Sequence, residues 1–406
     1  MKVKVGKGIA SGSIVIPGSK SVAHRYLIAA AFASGTTNIC HLPDNDDITA
    51  TIRCLRALGA GISKNGDTAT VFPTAEIAPT GTVLDCKESG TTLRLLIPQA
   101  LLTDHEVTFI GSGRLFARPL DIYENICRTQ NIAWKQAQNS LTVHGRLQPG
   151  SFSFPGNISS QFVSGLLFAL PHLGGKSTLT LTGGVESASY INLTLDALGK
   201  FGFEAIEEET GKYSVCGNQQ GTSPGKLNVP TDQSSAAFFG ALNALGGNVT
   251  MTDFYDDGTQ GDRVWRDYFN ALISGIPTLS VADCPDLAPI IMAVAAAGNG
   301  VTLIDTARLR FKESDRGNSM AEELRKCGVS VDVRENSIIV SGGAKAPDEP
   351  LYGHNDHRIA MSLAVLLTAT GGGTIDDAEC VAKSLPDFWK MLAELGISII
   401  TEKDQT

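Results

Sequence analysis

One pattern recurs along this chain and constrains its fold more than any single residue does. A helix-like stretch ends in a small or turn-forming residue, a short alternating strand follows, and a polar turn and second strand often come next. Six copies can be read: RCLRALGAGISKNGDTATVF around Gly59, ENICRTQNIAWKQAQNSLTVHG around Asn131, LDALGKFGFEAIEEETGKYSVCG around Gly202, YFNALISGIPTLSV around Gly275, AEELRKCGVSVDVRENSIIVSG around Gly328 and FWKMLAELGISIITEK around Gly396. Their spacings are 72, 71, 73, 53 and 68 residues. Glycine suits such a junction because a helix ends there in the left-handed region at little cost, and asparagine is the usual second choice. A unit of one helix and a few strands has a single apolar face, so units must cluster to bury it. Six units predict two groups of three in an α/β protein. Helix–glycine–strand junctions also arise in α/β proteins without any repeat, so the pattern alone leaves the architecture open.

The chain has 406 residues, 42% of them apolar and 18% charged, which is enough for two or three domains with real cores and excludes disorder or a coiled coil. Apolar runs such as Ile290 to Ala297 fall well short of the roughly 20 residues that span a bilayer, so no membrane partner is expected. The first residues, MKVKVGKGIASGSIVIPG, contain neither a signal-peptide core nor a Ser/Arg-rich leader, which predicts a cytoplasmic protein. None of the 8 cysteines falls in a CxxC motif, so they are expected to be reduced and mostly in the core. A net charge of −9 argues against nucleic acid as a partner. Any anionic ligand must then be held by a local cluster of Lys and Arg.

Several loops offer such clusters. PGSKSVAHR, Pro17 to Arg25, follows the strand-like GSIVI and runs into the apolar helix YLIAAAFA, so Gly18, Ser19, Lys20 and Ser21 sit at a helix start. Free N–H groups and the positive end of the helix dipole suit a phosphate or carboxylate there, although the spacing is not that of a Walker A loop. ESGTTLRLL repeats the arrangement with Glu88, Ser89, Gly90 and Thr91 at the turn and Arg94 one turn inside. GSGRLFARPLDIY puts Arg114 and Arg118 before Pro119, a residue favoured in the first turn of a helix. NISSQFVSGLLFALP places Ser159, Ser160 and Gln161 ahead of another apolar helix. Capping alone would account for serines at each of these positions.

The C-terminal half supplies counterparts. LRFKESDR packs Arg310, Lys312, Glu313, Asp315 and Arg316 together, GHNDHRIAM places Asn355, Asp356, His357 and Arg358 before an apolar helix, DCPDLAP offers Asp283 and Asp286, and AKSLPDF offers Lys383. A solvated helix start laced with ion pairs is the bland account of the first. The histidines lack zinc-like spacing, so no metal is expected. If these helix starts converge, they form a positive site inside an acidic protein. Asp286 and Glu313, in a field of Lys and Arg, would then stay ionised and serve as bases, with a neighbouring Lys as the acid. The residues suggest phosphate chemistry without a metal.

In order and along essentially the whole chain, PGSKSVAHR, SGTTLR, ARP, SSQF, SASYINLTL, PTDQSSAAFF, QGD, PDLAP, LRFKESDR, NDHRIAMS and AKSLPDF resemble the loops of the 5-enolpyruvylshikimate-3-phosphate synthase family. The resemblance implies an α/β fold of two domains, each an inside-out α/β barrel of three βαβαββ repeats, with the active site in the interdomain cleft. Residues 1–18 and 231–406 would form a discontinuous domain with the phosphoenolpyruvate side and the catalytic Asp and Glu, and 19–230 an inserted domain with the shikimate 3-phosphate side. The implied reaction moves the enolpyruvyl group of phosphoenolpyruvate to the 5-hydroxyl of shikimate 3-phosphate, with no cofactor, in a monomer.

By position, Ser21, Arg25, Ser159, Ser160, Gln161, Ser187 and Tyr190 resemble shikimate 3-phosphate contacts, with Asp286 and Lys312 at the reacting hydroxyl. Lys20, Gly90, Arg118, Gln161, Arg316, Arg358 and Lys383 resemble the phosphoenolpyruvate grip. Lys20, Asp286 and Glu313 would be catalytic: Lys20 neutralises phosphate charge, Asp286 orients or deprotonates the hydroxyl, and Glu313 carries the proton to and from the methylene carbon, which requires a raised pKa. Three positions depart from the family pattern: Glu88 replaces a usual Asn, Leu95 a common Pro and Arg308 a frequent Asn. These bear on substrate affinity and on glyphosate, to which the retained Gly90 predicts sensitivity. The related UDP-N-acetylglucosamine enolpyruvyl transferases usually carry a Cys before the ARP motif, and GSGRLFARP has none. A paralogue that keeps the fold without turnover is the other alternative.

Overall fold

A computed structural model describes residues 1–74 and 77–402. The chain divides into two compact units, Gly18–Pro230 and the discontinuous Met1–Pro17 with Thr231–Thr406. At the two crossings Ser19 N donates to Pro230 O at 2.7 Å in one unit, and Asp232 N to Pro17 O at 2.9 Å in the other. Gly18 has to be glycine, because a Cβ there would collide with the carbonyl oxygen of His41.

The inserted unit contains three four-stranded sheets of one design. Thr82–Asp85, Val107–Ile110, Ser140–His144 and Ala133–Gln136 are hydrogen-bonded in that order, the first pair parallel and the other two antiparallel. Ser151–Pro155, Ser177–Thr182, Lys212–Val215 and Ile206–Glu209 repeat it. A parallel pair needs a crossover, and the helices Gly90–Ala100 and Ser160–Ala169 supply it. In the third sheet the order is Lys226–Asn228, Thr37–Cys40, Thr68–Phe72 and Gly61–Asn65. Its parallel partner comes from the far end of the unit, because the strand ahead of the helix Lys20–Phe32 belongs to the other unit.

Helices Lys20–Phe32, Gly90–Ala100 and Ser160–Ala169 are apolar on nearly every side, and Val22 through Ala31 are all buried. A helix without a polar face has to lie inside. The second helix of each repeat, such as Asp46–Ala57, buries one face through Ile48, Ile52 and Leu55 and shows the other to water. The discontinuous unit follows the same plan with buried helices Gln233–Ala244, Ala288–Ala297 and His357–Thr370. None of the described sheets closes on itself.

Five of the six junctions have positive φ: Gly59 at 111°, Asn131 at 56°, Gly202 at 72°, Gly328 at 76° and Gly396 at 88°. The expectation fails at Gly275, whose φ of 171° is extended. There the single strand Thr278–Ser280 joins Gly300–Ile304 of the following sheet, and the described pairing of that repeat is only Asn248–Thr252 with Ser11–Val15. The missing hairpin explains the short 53-residue spacing.

Helices Gly90–Ala100 and Ser160–Ala169 approach closely at Gly165, where a Cβ would lie 2.6 Å from the Arg94 carbonyl oxygen and collide with the Tyr123 hydroxyl. That hydroxyl donates to Arg94 O at 2.8 Å. Gly165→Ala should therefore cost about 1–3 kcal/mol of stability through overpacking. Urea unfolding checks this, and an unchanged midpoint would contradict the close packing.

Candidate active site

Six buried helices begin at the loops singled out above, and capping explains part of their chemistry. Ser89 accepts from Thr92 N, Ser159 from Gln161 N, Asp232 from Ser235 N and Asp356 from Arg358 N, whereas Ser19 makes no side-chain cap. A capping hydroxyl that accepts still has its own proton to donate. Asp315 caps the amphipathic helix Arg316–Lys326 in the same way. Pro119 lies two residues ahead of the helix Asp121–Thr129 rather than in its first turn.

In the inserted unit, Lys20 pairs with Asp47 at 2.8 Å, a partner on the next helix. Arg25 is buried, with Nε donating to Thr194 Oγ1, Nη1 to Ser21 O, and Nη2 to Tyr190 O and Ser164 Oγ. Burial lowers its pKa to about 10, so it stays charged at neutral pH. Four of its five N–H groups are thus committed to protein oxygens. Gln161 links two helix starts, accepting from Arg94 Nη1 at 2.9 Å and donating to Thr91 Oγ1 at 2.9 Å. The Arg118 guanidinium packs against Gly90: a Cβ there would sit 2.7 Å from Arg118 Cζ. Ser160 and Ser187 are buried, Ser187 with a left-handed φ of 55°, while Ser21, Ser159 and Tyr190 are partly exposed.

Behind these groups runs a chain of hydroxyls. His24 Nδ1 and Thr51 Oγ1 are 2.8 Å apart, Thr51 and Thr92 hydroxyls 2.7 Å, and Thr92 Oγ1 donates to Ser89 Oγ at 2.8 Å. Burial, with Lys20 and Arg25 nearby, keeps the His24 pKa well below the imidazole range.

In the discontinuous unit, three predicted cations meet on one predicted carboxylate. Asp286 Oδ1 accepts from Lys312 Nζ at 3.1 Å and Arg316 Nη1 at 2.7 Å, and Oδ2 lies 2.8 Å from Arg358 Nη2. Burial favours the neutral acid, but Arg358, Lys312 and Arg316 outweigh it and hold Asp286 well below the usual carboxylate range. Burial also pulls Lys312 below an ordinary lysine, which makes its ammonium a better acid. Glu313 accepts from Arg316 Nη2 at 2.8 Å. Arg316 Nε donates to Asp356 Oδ2 at 2.9 Å, and Ser314 joins the same oxygen at 3.1 Å. Lys383 stands apart on Asn355, donating to its carbonyl oxygen and Oδ1. Arg310 bonds Glu335 O instead, and Asp283 is exposed, so neither joins the cluster.

The three departures have places in the packing. Leu95 is core, Glu88 lies against Gly113, and Arg308 is buried with Nη2 donating to Ala282 O at 2.7 Å, which steadies the loop that ends at Asp286. Sequence reasoning assigned no role to Asp47, His24 or Asp262. Asp262, in QGD, bonds Ser234 Oγ, and burial together with repulsion from Asp286 raises its carboxyl to about 6.

Repeated α/β units whose buried helices begin in cation-rich loops define an enzyme built to handle small anions. The EPSP synthase (3-phosphoshikimate 1-carboxyvinyltransferase) family model matches residues 6–392. Among curated proteins, 3-phosphoshikimate 1-carboxyvinyltransferases of Clostridium novyi and Clostridium acetobutylicum are 39% and 38% identical, each alignment covering 97% of both chains. An EPSP synthase structure from Acinetobacter baumannii shares the fold with a TM-score of 0.78 at 24% identity, covering 98% of this chain and 100% of that one. The chain belongs to the EPSP synthase family and is a transferase.

A carboxyl raised above its unfolded value loses stability as pH rises through the native pKa. Asp262→Asn should therefore melt higher than the wild type at pH 8, with the gain shrinking toward pH 5. Thermal melts across that range check this, and a pH-independent difference would remove Asp262 as the titrating group.

Proposed function

We propose that this chain transfers the enolpyruvyl group of phosphoenolpyruvate to the 5-hydroxyl of shikimate 3-phosphate, releasing phosphate. The observation that carries this reading is a nearly full-length family match whose motifs hold Asp286 among Lys312, Arg316 and Arg358. Both substrates are small anions, which suits clusters of that kind.

In this reading Ser21, Arg25, Ser159, Ser160, Ser187 and Tyr190 receive shikimate 3-phosphate. Lys20, Gly90, Arg118, Arg316, Arg358 and Lys383 grip phosphoenolpyruvate, and Gln161 serves either. Arg25 contributes through its remaining N–H and by fixing the Ser21 and Tyr190 backbones. Four of the five N–H groups of Arg316 already donate to Asp286, Glu313 and Asp356, so an arriving anion competes with these carboxylates rather than adding to an empty cation.

Asp286, ionised at the outset, takes the proton of the 5-hydroxyl as that oxygen attacks, and Lys312 holds the pair. The hydroxyl oxygen bonds to C2 of phosphoenolpyruvate while Glu313 delivers a proton to C3, giving a tetrahedral ketal phosphate. Elimination returns a methyl proton to Glu313 and breaks the bond from C2 to the phosphate oxygen, and the released phosphate takes the hydroxyl proton from Asp286, with Lys20 neutralising its charge. One carboxylate acts first as acid and then as base. Its bond to Arg316 favours the anion, so protonation of Glu313 follows once the substrate engages Arg316. No helix among the described residues is long and apolar enough to cross a membrane, and the reading assigns a cytoplasmic monomer.

Phosphate release from phosphoenolpyruvate, with shikimate 3-phosphate and with UDP-N-acetylglucosamine as alternative acceptors, tests this directly. Release with the first alone is expected, and release with neither in a folded protein would favour a non-catalytic paralogue. Glu313→Gln should retain both substrates and lose about 100-fold or more in turnover. Isothermal titration alongside the assay checks this, and near-normal turnover would rule Glu313 out as proton carrier. Gly90→Ala should push the Arg118 guanidinium aside and raise the KM for phosphoenolpyruvate by about tenfold or more. Stability should change little, because Arg118 can swing away, and an unaltered KM would contradict the assigned contact.

A further inference from the structure

His354 and Asn355 are consecutive non-glycine residues in the left-handed region, with φ of 54° and 51°. That conformation is unfavourable for residues with a Cβ and persists where the surroundings over-determine it, often at functional sites. This turn delivers a great deal. Asn355 accepts Lys383 Nζ at 2.6 Å on its carbonyl oxygen and at 2.7 Å on Oδ1. The next residue, Asp356, takes Arg316 Nε at 2.9 Å and caps the helix that carries Arg358. Three cations assigned to phosphoenolpyruvate thus depend on one strained turn.

The turn is held from beneath by Glu323, a carboxylate with no exposed side-chain surface, two turns along the helix Arg316–Lys326 from Arg316. Its Oε2 accepts from Tyr352 N at 2.9 Å, its Oε1 from His354 Nε2 at 2.8 Å, and Lys326 Nζ lies 3.0 Å from Oε2. From the other side Asp377 accepts from Asn355 N. Burial favours the neutral acid, but the donors from His354, Tyr352 and Lys326 outweigh it and keep Glu323 below the ordinary glutamate range. Glu322, Glu323 and His354 also bring ligand atoms within 4.8 Å of one another, yet the Glu323 oxygens already accept three protein donors. The geometry is that of a clamp.

We propose that Glu323 is a positioning residue of the transfer reaction, fixing the His354–Asn355 turn and through it Lys383, Arg316 and Arg358 for the anionic substrate. The proposal rests on the assignment of those cations to phosphoenolpyruvate.

Proton bookkeeping on the clamp gives it a signature that a merely structural residue lacks. His354 Nε2 donates to a carboxylate whether the ring is neutral or charged, so the native clamp holds with either form. Glutamine offers one carbonyl oxygen and one NH2. Tyr352 N can only donate, so the oxygen must stay there and the NH2 must face His354. A neutral His354 accepts by carrying its proton on Nδ1, whereas a charged one cannot accept at all. The groups around His354 are Glu322, Glu323 and Lys326 on the facing helix, the Tyr352 ring at 5.1 Å, and Asp377 against the adjoining Asn355.

The test is steady-state kinetics of the full chain from about pH 8 to about pH 5.5, the span in which an imidazole charges. Expressing each variant as a ratio to the wild type cancels titration of the substrate. In Glu323→Gln, the ratio of kcat/KM for phosphoenolpyruvate should fall by about tenfold or more across that span. The KM for shikimate 3-phosphate should stay within about twofold, and the Glu323→Gln/His354→Ala double variant should show no such fall. A ratio flat in pH, or equal rises in both KM values, would overturn the proposal. If Glu323→Gln does not fold, His354→Ala removes the same bond from the turn, and an unchanged KM for phosphoenolpyruvate there would equally overturn it. Wild-type phosphate release saturable in phosphoenolpyruvate separates the two claims: without it the reaction assignment fails, and with it a flat ratio counts against the clamp alone.

Discussion

Arg316, 1% exposed, is the charge around which the discontinuous unit is organised. A buried guanidinium has to be paired on every edge, and removing one partner leaves an uncompensated charge. Asp286 precedes the helix Ala288–Ala297, Glu313 precedes Arg316's own helix, and Asp356 starts the helix His357–Thr370. The planar fork of arginine thus fixes three helix starts relative to one another. Burial works against the charged form, yet Asp356, Glu313 and Asp286 hold the pKa of Arg316 well above that of free arginine.

The inserted unit solves a similar problem differently. Arg25 is held by two hydroxyls and two carbonyl oxygens, and the supporting chain from His24 to Ser89 is neutral throughout. A cation held by neutral oxygens keeps its field, whereas one among carboxylates has it largely cancelled. Positive potential is therefore already in place at Arg25, whereas three carboxylates offset it at Arg316.

Much of this could be read from the chain. The repeat was legible because Gly59, Asn131, Gly202, Gly328 and Gly396 stand where a helix must turn left-handed. Gly275 read the same way, but the chain there runs extended straight into the strand Thr278–Ser280, a decision taken by sheet pairing rather than by local sequence. Candidate cations were legible from their place at helix starts. Their partners were not: Asp47 lies 27 residues from Lys20, and Asp356 lies 40 from Arg316. No periodicity links such pairs. Arg25 had the right position for a ligand contact, and only packing revealed how many of its donors serve the fold itself.

The pairing of the strand Lys2–Gly6 has a consequence for biosynthesis. Its two neighbours are Gly372–Asp376 and Ile399–Glu402, nearly the whole chain away. The inserted unit, by contrast, completes its last sheet with Lys226–Asn228. At about 5–20 residues per second, the ribosome needs roughly 10–35 s more after that strand before the first one finds its partners. During this interval a finished unit hangs behind an unpaired strand, which alternates Val3 and Val5 with Lys2 and Lys4. Alternating lysines are a feature that keeps such an edge from pairing with other chains while it waits.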